Sequence, residues 1–233
     1  MPTTTQLDQA GGRSMRFSRA DLELGVRRRL HEGRWANAVV DTVEFAGCTW
    51  VVKDFQPRSW LVRNLIGRLL IRRESTGLRK VAGLAGTPPD AFRIDAFALA
   101  YRFVPGRGLR KCPTSAITED FFPALERSVL AMHARARIVH LDMRNADNIL
   151  VTESGEPLLL DFQSHLGLGW MPGPLRRFAQ RIDLAAIYKH WARRSPATMG
   201  PERTALLDRI NRLRPLWAVR GYMGSSRDGR HHP

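Results

Sequence analysis

Residues 137–163, RIVHLDMRNADNILVTESGEPLLLDFQ, alternate short apolar runs with polar clusters. The first apolar run, 149–151, ends at the turn-forming residues 153–157, and the second, 158–160, ends at Asp161. Apolar runs on either side of Ser, Gly and Pro are typical of two buried strands joined as a hairpin. The hairpin brings Asn148, which precedes its first strand, near Asp161, which follows its second.

An amide oxygen and a carboxylate at that separation are hard ligands suited to a magnesium ion that also binds phosphate oxygens. Asp142, earlier in the same loop, is left free to act on a substrate hydroxyl. Asp147 competes with Asn148 as the metal ligand. Asp and Asn are also common in turns for local reasons. Because these polar positions occur in this order around a strand pair, we favour a functional site over simple turn capping.

The order His140-x-Asp142, then Asn148, then Asp161-Phe162 resembles the protein-kinase-like superfamily, whose catalytic loop is H-R-D-x-x-x-x-N and whose metal aspartate opens D-F-G. The chain departs from the pattern in two ways. Five residues separate Asp142 from Asn148 where the family usually has four, and Gln163 stands where the family has glycine. Both departures indicate the small atypical bacterial branch, which includes lipopolysaccharide-core (Kdo or heptose) kinases and RIO-type kinases.

The resemblance implies a two-lobed α+β fold with ATP in the cleft between the lobes and Mg²⁺ on the phosphates. A small β-rich N-lobe would span 16–104 and a truncated helical C-lobe 105–220, with disordered ends at 1–15 and 221–233. Asn148 and Asp161 would hold the metal, and Asp142 would position and deprotonate the acceptor. Arg144 would supply a further cation, and His140 would brace the loop.

A strand pair at 38–45 and 49–52, joined by Ala46-Gly47, ends in Lys53. By the resemblance Lys53 would hold the nucleotide phosphates, and the loop with Gly33 would cover them. A lysine there is also common as a solvated edge residue. Its acidic partner would be Glu74, at the start of a helix predicted over 73–84. The alternative is that Glu74 is there only because an acidic residue is favourable in the first turn of a helix.

The segment 97–106 is predicted to join the lobes, with the main chain at Arg102 to Val104 binding the adenine. Helices are predicted at 118–136, 175–193 and 202–217. In 59–73 an apolar half, Leu61, Val62, Leu65, Ile66, Leu69 and Leu70, faces an arginine-bearing half. Such a helix either lies on an anionic membrane or packs on its own lobe.

The net charge of the chain indicates which class of partner it binds. The chain has 233 residues, and 37 Lys and Arg against 22 Asp and Glu give a net charge of +15, which favours polyanions. No motif for specific nucleic-acid reading occurs. Two cysteines without pairing spacing, no secretory leader and no membrane-span run predict a cytoplasmic protein, with a peripheral position at the inner membrane as a further expectation.

These features predict a kinase that transfers the ATP γ-phosphoryl group to a hydroxyl. The expected partners are ATP and an acidic sugar, lipid or protein acceptor. A lipopolysaccharide-core sugar is the first candidate acceptor and a protein serine or threonine the second. A third hypothesis is a kinase-like module that binds nucleotide or partners without catalysis.

Overall fold

A computed structural model of the chain describes residues 16–32 and 37–213. It is a mixed α+β structure in which an antiparallel sheet precedes a helical C-terminal part, as the sequence predicts. The expectations for the ends, 1–15 and 221–233, and for Gly33 fall outside the described residues. The lobe boundary near residue 104 stays a prediction.

The N-terminal sheet has five strands in the order β1-β2-β3-β5-β4. A short helix, α1 (Arg19–Leu24), precedes it. The strands are β1 (Arg27–His31), β2 (Val39–Phe45), β3 (Cys48–Asp54), β4 (Phe92–Arg93) and β5 (Ala98–Arg102). The predicted strand pair is confirmed, since β2 and β3 pair in antiparallel register from Val39 opposite Asp54 to Phe45 opposite Cys48.

Alternation along β3 decides which side of the sheet Lys53 faces. Trp50 and Val52 belong to a buried cluster with α1 residues, whereas Val51 belongs to the main core that continues into the C-terminal part. Successive side chains of a strand point to opposite faces. Lys53 therefore shares the face of Val51, towards the helical part of the molecule.

One long helix crosses the same side of the sheet. It runs from residue 60 to residue 81 and contains a π-helical segment, Val62–Gly67, followed by α2 (Arg68–Val81). Two separate predictions, an amphipathic helix at 59–73 and a second helix at 73–84, are therefore corrected to a single element. Glu74 lies in its middle, and the first turn of α2 contains no acidic residue. The alternative role of Glu74 as a first-turn acid is thus wrong.

The C-terminal part places the hairpin against three helices. After β6 (Gly106–Gly108) come α3 (Phe121–Ala131), a π turn (Met132–Ala136), β7 (Ile138–Val139), β8 (Ile149–Thr152), β9 (Pro157–Leu159), β10 (Leu166–Gly167), α4 (Gly173–Arg194) and α5 (Pro201–Leu213). The predicted hairpin is confirmed, because β8 pairs with β9 from Ile149 opposite Leu159 to Val151 opposite Pro157. Leu160 N–H donates to Asn148 O at 2.8 Å, so the two ends of the hairpin meet.

A single large core joins the sheet to the helices. Val51 and Leu99 of the sheet are in the same buried cluster as Leu125 of α3, Ile149 of β8 and Ile187 of α4. Within the part of the chain that the structure describes, the helices are too short or too polar for any of them to cross a bilayer.

Candidate active site

Lys53 lies between two carboxylates that come from distant parts of the chain. Its Nζ is 2.5 Å from Glu74 Oε1 and 3.2 Å from Asp161 Oδ1. Glu74 reaches it from the long helix, and Asp161 reaches it from the residue after the hairpin. The lysine is 14% exposed. It is therefore not the solvated edge residue that the sequence left open.

The electrostatics of this triad keep Lys53 charged. Burial by itself would lower the pKa of Lys53, but the charges of Glu74 and Asp161 outweigh it and raise that pKa above its ordinary value. Burial raises the pKa of Glu74, while the charge of Lys53 opposes the rise. A buried charge is tolerated only with partners. The ammonium is thus fixed in place between one buried carboxylate and a second that is partly exposed.

The loop before the hairpin holds Asp142 against Asn148. Asn148 Nδ2 donates to Asp142 Oδ2 at 2.8 Å and to the Asp142 main-chain oxygen at 3.0 Å. Asn145 begins the short helical turn Ala146–Asn148, and its Nδ2 donates to Asn148 Oδ1 at 3.3 Å. The extra residue in this loop is accommodated by that turn. Asp147 is exposed and pairs with Arg110 at 2.9 Å.

Asp142 and Asp161 are close enough to interact electrostatically. Partial burial is the larger cause of the raised pKa of Asp142, and the charge of Asp161 raises it further, although the bond from Asn148 lowers it. Two carboxylates that repel each other are stabilised by a cation placed between them. The pairs Lys53–Asp161 and Asn148–Asp142 are therefore parts of one charged site.

The donor set fits a magnesium ion that shares its coordination with phosphates. Asp161 offers a carboxylate, and Asn148 Oδ1 retains acceptor capacity beside its bond from Asn145. Among the described residues, no group of three or more His, Cys, Asp or Glu side chains could hold a metal. Mg²⁺ in proteins commonly binds through one or two side chains, several waters and substrate phosphates. A metal here would depend on the nucleotide for part of its ligand shell.

Asp183 anchors the loop that carries Asp142, and sequence reasoning missed it. This completely buried carboxylate of α4 accepts the main-chain N–H groups of His140 at 2.7 Å and Leu141 at 2.8 Å. It also accepts from His133 Nε2 at 3.0 Å. Leu141 has φ 67°, a left-handed conformation that costs free energy in a non-glycine residue. Three hydrogen bonds to one carboxylate hold the loop in that shape.

His140 occupies the position between the loop and the hairpin. Its Nε2–H donates to Leu160 O at 2.9 Å, and its Nδ1 accepts from Asp142 N–H at 3.3 Å. The ring is fully buried and packs against Phe162. These contacts match the bracing role expected for His140 and place Asp142 and Asp161 on either side of one rigid ring.

The segment after the hairpin is fixed to the long helix. Asp161 has φ 63°, and Gln163 Nε2 donates to its Oδ2 at 3.3 Å. Arg73 donates from Nε to Gln163 O at 2.9 Å and from Nη2 to His165 O at 2.8 Å. Gly77 lies so close that a Cβ there would be 2.9 Å from Phe162 Cβ. Gln163 thus takes part in positioning the carboxylate in place of the family's glycine.

The remaining predicted site residues are less closely tied to this cluster. Arg102 stacks its guanidinium over Trp50, and its N–H donates to Pro89 O at 3.0 Å. Phe103 N–H donates to Thr49 O at 2.9 Å. A main-chain donor for adenine would therefore come from Val104, and Arg102 could offer only its carbonyl. Arg144 is half-buried near His190, whose pKa is lowered mainly by burial and further by nearby positive charges that include Arg144.

Comparison with known proteins finds similarity to solved structures. No family model matches the chain, and no curated protein matches it. Among solved structures, it is similar to the Rio2 kinase–ADP/Mg²⁺–phosphoaspartate complex from Chaetomium thermophilum. The TM-score is 0.53 and the identity 17%, over 86% of this chain and 67% of that one. The chain therefore has a protein-kinase-like fold, and the predicted two-lobed fold class is confirmed.

At 17% identity the likeness concerns the fold. The nucleotide and magnesium of the Rio2 complex belong to that protein, and this likeness does not show the expected resemblance to lipopolysaccharide-core kinases. The roles of the individual side chains here rest on their own geometry.

Proposed function

We propose that the protein is an ATP-dependent phosphotransferase that moves the γ-phosphoryl group of Mg·ATP to a hydroxyl group. The observation that carries the proposal is Lys53 Nζ, held 2.5 Å from Glu74 and 3.2 Å from Asp161. Phosphoryl transfer depends on alignment and on neutralising charge over the phosphoryl oxygens. A fixed ammonium beside a metal-binding carboxylate meets both needs, and the Rio2-like fold supports it.

Each side chain then has a distinct role. Lys53 holds phosphate oxygens, and Glu74 keeps its Nζ in place. Asp161 and Asn148 hold Mg²⁺, which would neutralise charge on the phosphates when bound. Val104, through its main chain, would bind the adenine.

Asp142 acts on the acceptor. The acceptor oxygen forms a bond to the γ-phosphorus as the bond to the bridging oxygen of ADP breaks, and the hydroxyl proton passes to the Asp142 carboxylate. A raised pKa makes this carboxylate a better base than an ordinary aspartate. Asn148 keeps the carboxylate oriented through its bond to Oδ2. Arg144, two residues further on, would contribute positive charge near the acceptor.

We propose a lipopolysaccharide-core sugar as the acceptor, with a protein serine or threonine as the alternative. The net charge of +15 supports an acidic, lipid-linked sugar. The similarity to Rio2 kinase supports the protein alternative. The third candidate is a kinase-like module that binds nucleotide or partners without catalysis. Gln163 in place of glycine and the loop insertion support it.

The first experiment measures turnover of γ-labelled ATP by the full chain with Mg²⁺. We expect Lys53→Met and Asp161→Asn to lower the rate by about a hundredfold or more, since the first removes a cation that neutralises phosphoryl charge and the second weakens binding of the Mg²⁺ that would do so. Lys111→Ala, which changes an exposed lysine, should keep the wild-type rate. Equal rates in wild type and Lys53→Met would refute the proposed site.

A second experiment separates the candidates for the acceptor. Labelled ATP is offered with dephosphorylated lipopolysaccharide core and, separately, with casein. Label in the core supports the first candidate, and label in casein supports the second. Hydroxylamine treatment then detects phosphoaspartate, the species named in the Rio2 complex. If the wild type binds Mg·ATP yet neither consumes it nor labels anything, the binding-module candidate replaces both.

A further inference from the structure

The long helix exposes a row of large apolar side chains. Trp60, Leu61, Leu65, Ile66 and Leu69, here called the apolar ridge, are between 36% and 67% exposed. Of the apolar half predicted from the sequence, only Val62 is buried. Four of the six residues of the apolar half are therefore exposed, while Val62 and Leu70 pack on the core, and the ridge extends along about three turns of helix.

The packing of the helix explains why the ridge points outward. Gly67 lies against the Phe55 ring so closely that a Cβ there would be 2.7 Å from Phe55 Cγ. Val62 and Ile71 are buried on the same side as Gly67. In the π segment each turn holds more residues than in an α-helix. Leu61 and Leu65 thus stay in line with Leu69 on the opposite side.

A row of arginines accompanies the ridge. Arg63, Arg68 and Arg72 follow at intervals of five and four residues, which match the π and α parts of the helix. Arg68 and Arg72 are exposed, and the guanidiniums of Arg63 and Arg68 lie near the Phe97 ring. Residues 56–73 contain no Asp or Glu. The helix is therefore apolar along one line and carries arginines beside it, with no acidic residue of its own between 56 and 73.

We propose that the apolar ridge docks the protein on an anionic phospholipid bilayer, with the leucines entering the interface and the arginines meeting lipid phosphates. An amphipathic helix lying in the plane of a membrane has this combination of apolar side chains, arginines and an aromatic residue. Trp60 at one end is suited to the headgroup region, where amphipathic rings are favoured. Arginine side chains can extend from beside the apolar row to the phosphates.

The charge pattern argues against a second copy of the chain as the occupant. Two ridges packed together would bring arginine rows side by side without an acidic residue to offset them, and like charges in contact are destabilising.

Docking would place the membrane next to the site. The helix that bears the ridge on its outer side bears Glu74 on its buried side, where it holds Lys53. The inference does not rest on the proposed phosphotransfer, because vesicle binding is measured without nucleotide. A protein that binds membranes but turns over no ATP would therefore refute the proposed function alone.

Flotation with vesicles tests the docking surface. We expect the full chain to float with phosphatidylglycerol-containing vesicles and much less with pure phosphatidylcholine. Leu65→Gln/Leu69→Gln should weaken the binding about tenfold or more, since two leucines no longer enter the interface. Arg68→Glu/Arg72→Glu should weaken it comparably. Leu130→Gln and Arg209→Glu, at exposed positions on α3 and α5, should retain most of it.

Fluorescence distinguishes insertion from general attraction of a basic protein. Trp60 is 67% exposed and Trp170 is 71% exposed. We expect anionic vesicles to shift the emission to shorter wavelength in the wild type and in Trp170→Phe, and this shift to be lost in Trp60→Phe. Binding that is unchanged in the leucine variants, or a ridge-dependent dimer in sedimentation without vesicle binding, would overturn the inference.

Discussion

Asp183 shows how one buried carboxylate can determine the shape of a catalytic loop. It ties α4 to the main chain at His140 and Leu141 and to the side chain of His133. Asp142 and Asn148 bond to each other and to nearby residues of the loop and the hairpin, and Asp183 ties this loop to α4. The position of the proposed base therefore depends on a residue about forty positions further along the chain.

We expect Asp183→Ala to destabilise the protein by about 3 kcal/mol, because it leaves buried donors without an acceptor and releases a strained loop. Urea unfolding measures the change. The matched control Asp208→Ala, at an exposed position on α5, should change stability by less than about 0.5 kcal/mol. Similar stabilities of the two variants would contradict the anchoring role.

His190 should make the fold sensitive to acid. Burial, with nearby positive charges, lowers its pKa to about 4, and its Nε2–H donates to Met143 O at 3.0 Å. The unfolded chain, with an ordinary pKa near 6.5, binds the proton more tightly. The contribution to stability is therefore complete above pH 6.5 and is lost as the pH falls towards 4.

His190→Gln keeps a donor for Met143 but cannot titrate. Between pH 6.5 and pH 4 the free energy of unfolding should fall in both proteins. We expect the fall in His190→Gln to be smaller than in the wild type by up to about 3 kcal/mol. Urea unfolding at several pH values measures the difference. The control is His31→Gln, at an exposed strand position, whose free energy of unfolding should depend on pH as in the wild type. The same pH dependence in His190→Gln would contradict the prediction.

At the residue scale, the sequence was sufficient to predict the candidate site residues that lie next to a recognisable local pattern. Asn148 and Asp161 flank a hairpin whose apolar runs are plain, and the structure brings them to the same end of it. Asp183 had no such pattern, since it is an isolated acid in a basic helix. Its importance comes from contacts across more than forty residues, which periodicity does not reveal.

At the element scale the long helix was predicted as two pieces for a physical reason. A π segment changes the spacing at which side chains return to the same face, so the apolar residues at 61–70 and 71–81 do not fit a single period of 3.6. Gly67, within the first predicted helix, is needed for close contact with Phe55. The sheet was easier to predict because β2 and β3 are rich in β-branched residues.

The same helix determines where Asp161 lies, through Arg73. We expect Arg73→Ala to lower ATP turnover about tenfold, because Gln163 and His165 lose the donors that hold their segment against the helix. Steady-state assays of labelled phosphate release measure the effect. Arg79→Ala, at an exposed position in the last turn of α2, is the control. A rate for Arg73→Ala equal to that of the control would contradict the positioning role.

At the scale of the whole molecule, the sheet and the helices share one core, so a ligand at the proposed nucleotide site would contact both parts of a continuous structure. We expect Mg·ATP at a hundred times its Kd to stabilise the protein by about 2.7 kcal/mol. Thermal unfolding measures this as a rise in Tm. Asp161→Asn should lose most of the magnesium-dependent part, whereas Lys111→Ala should keep all of it. A Tm that saturating Mg·ATP leaves unchanged would contradict nucleotide binding in the cleft.

Arg73 and Gly77 of the long helix hold residues 161–165 in place, and this contact has a consequence for inhibitor design. Phe162 is completely buried, and Arg73 donates to the carbonyl oxygens of Gln163 and His165 that follow it. A compound that opens a rear pocket by expelling Phe162 would first have to break those bonds. Ligands for this protein are therefore better sought among molecules that bind at the proposed nucleotide site without displacing Phe162.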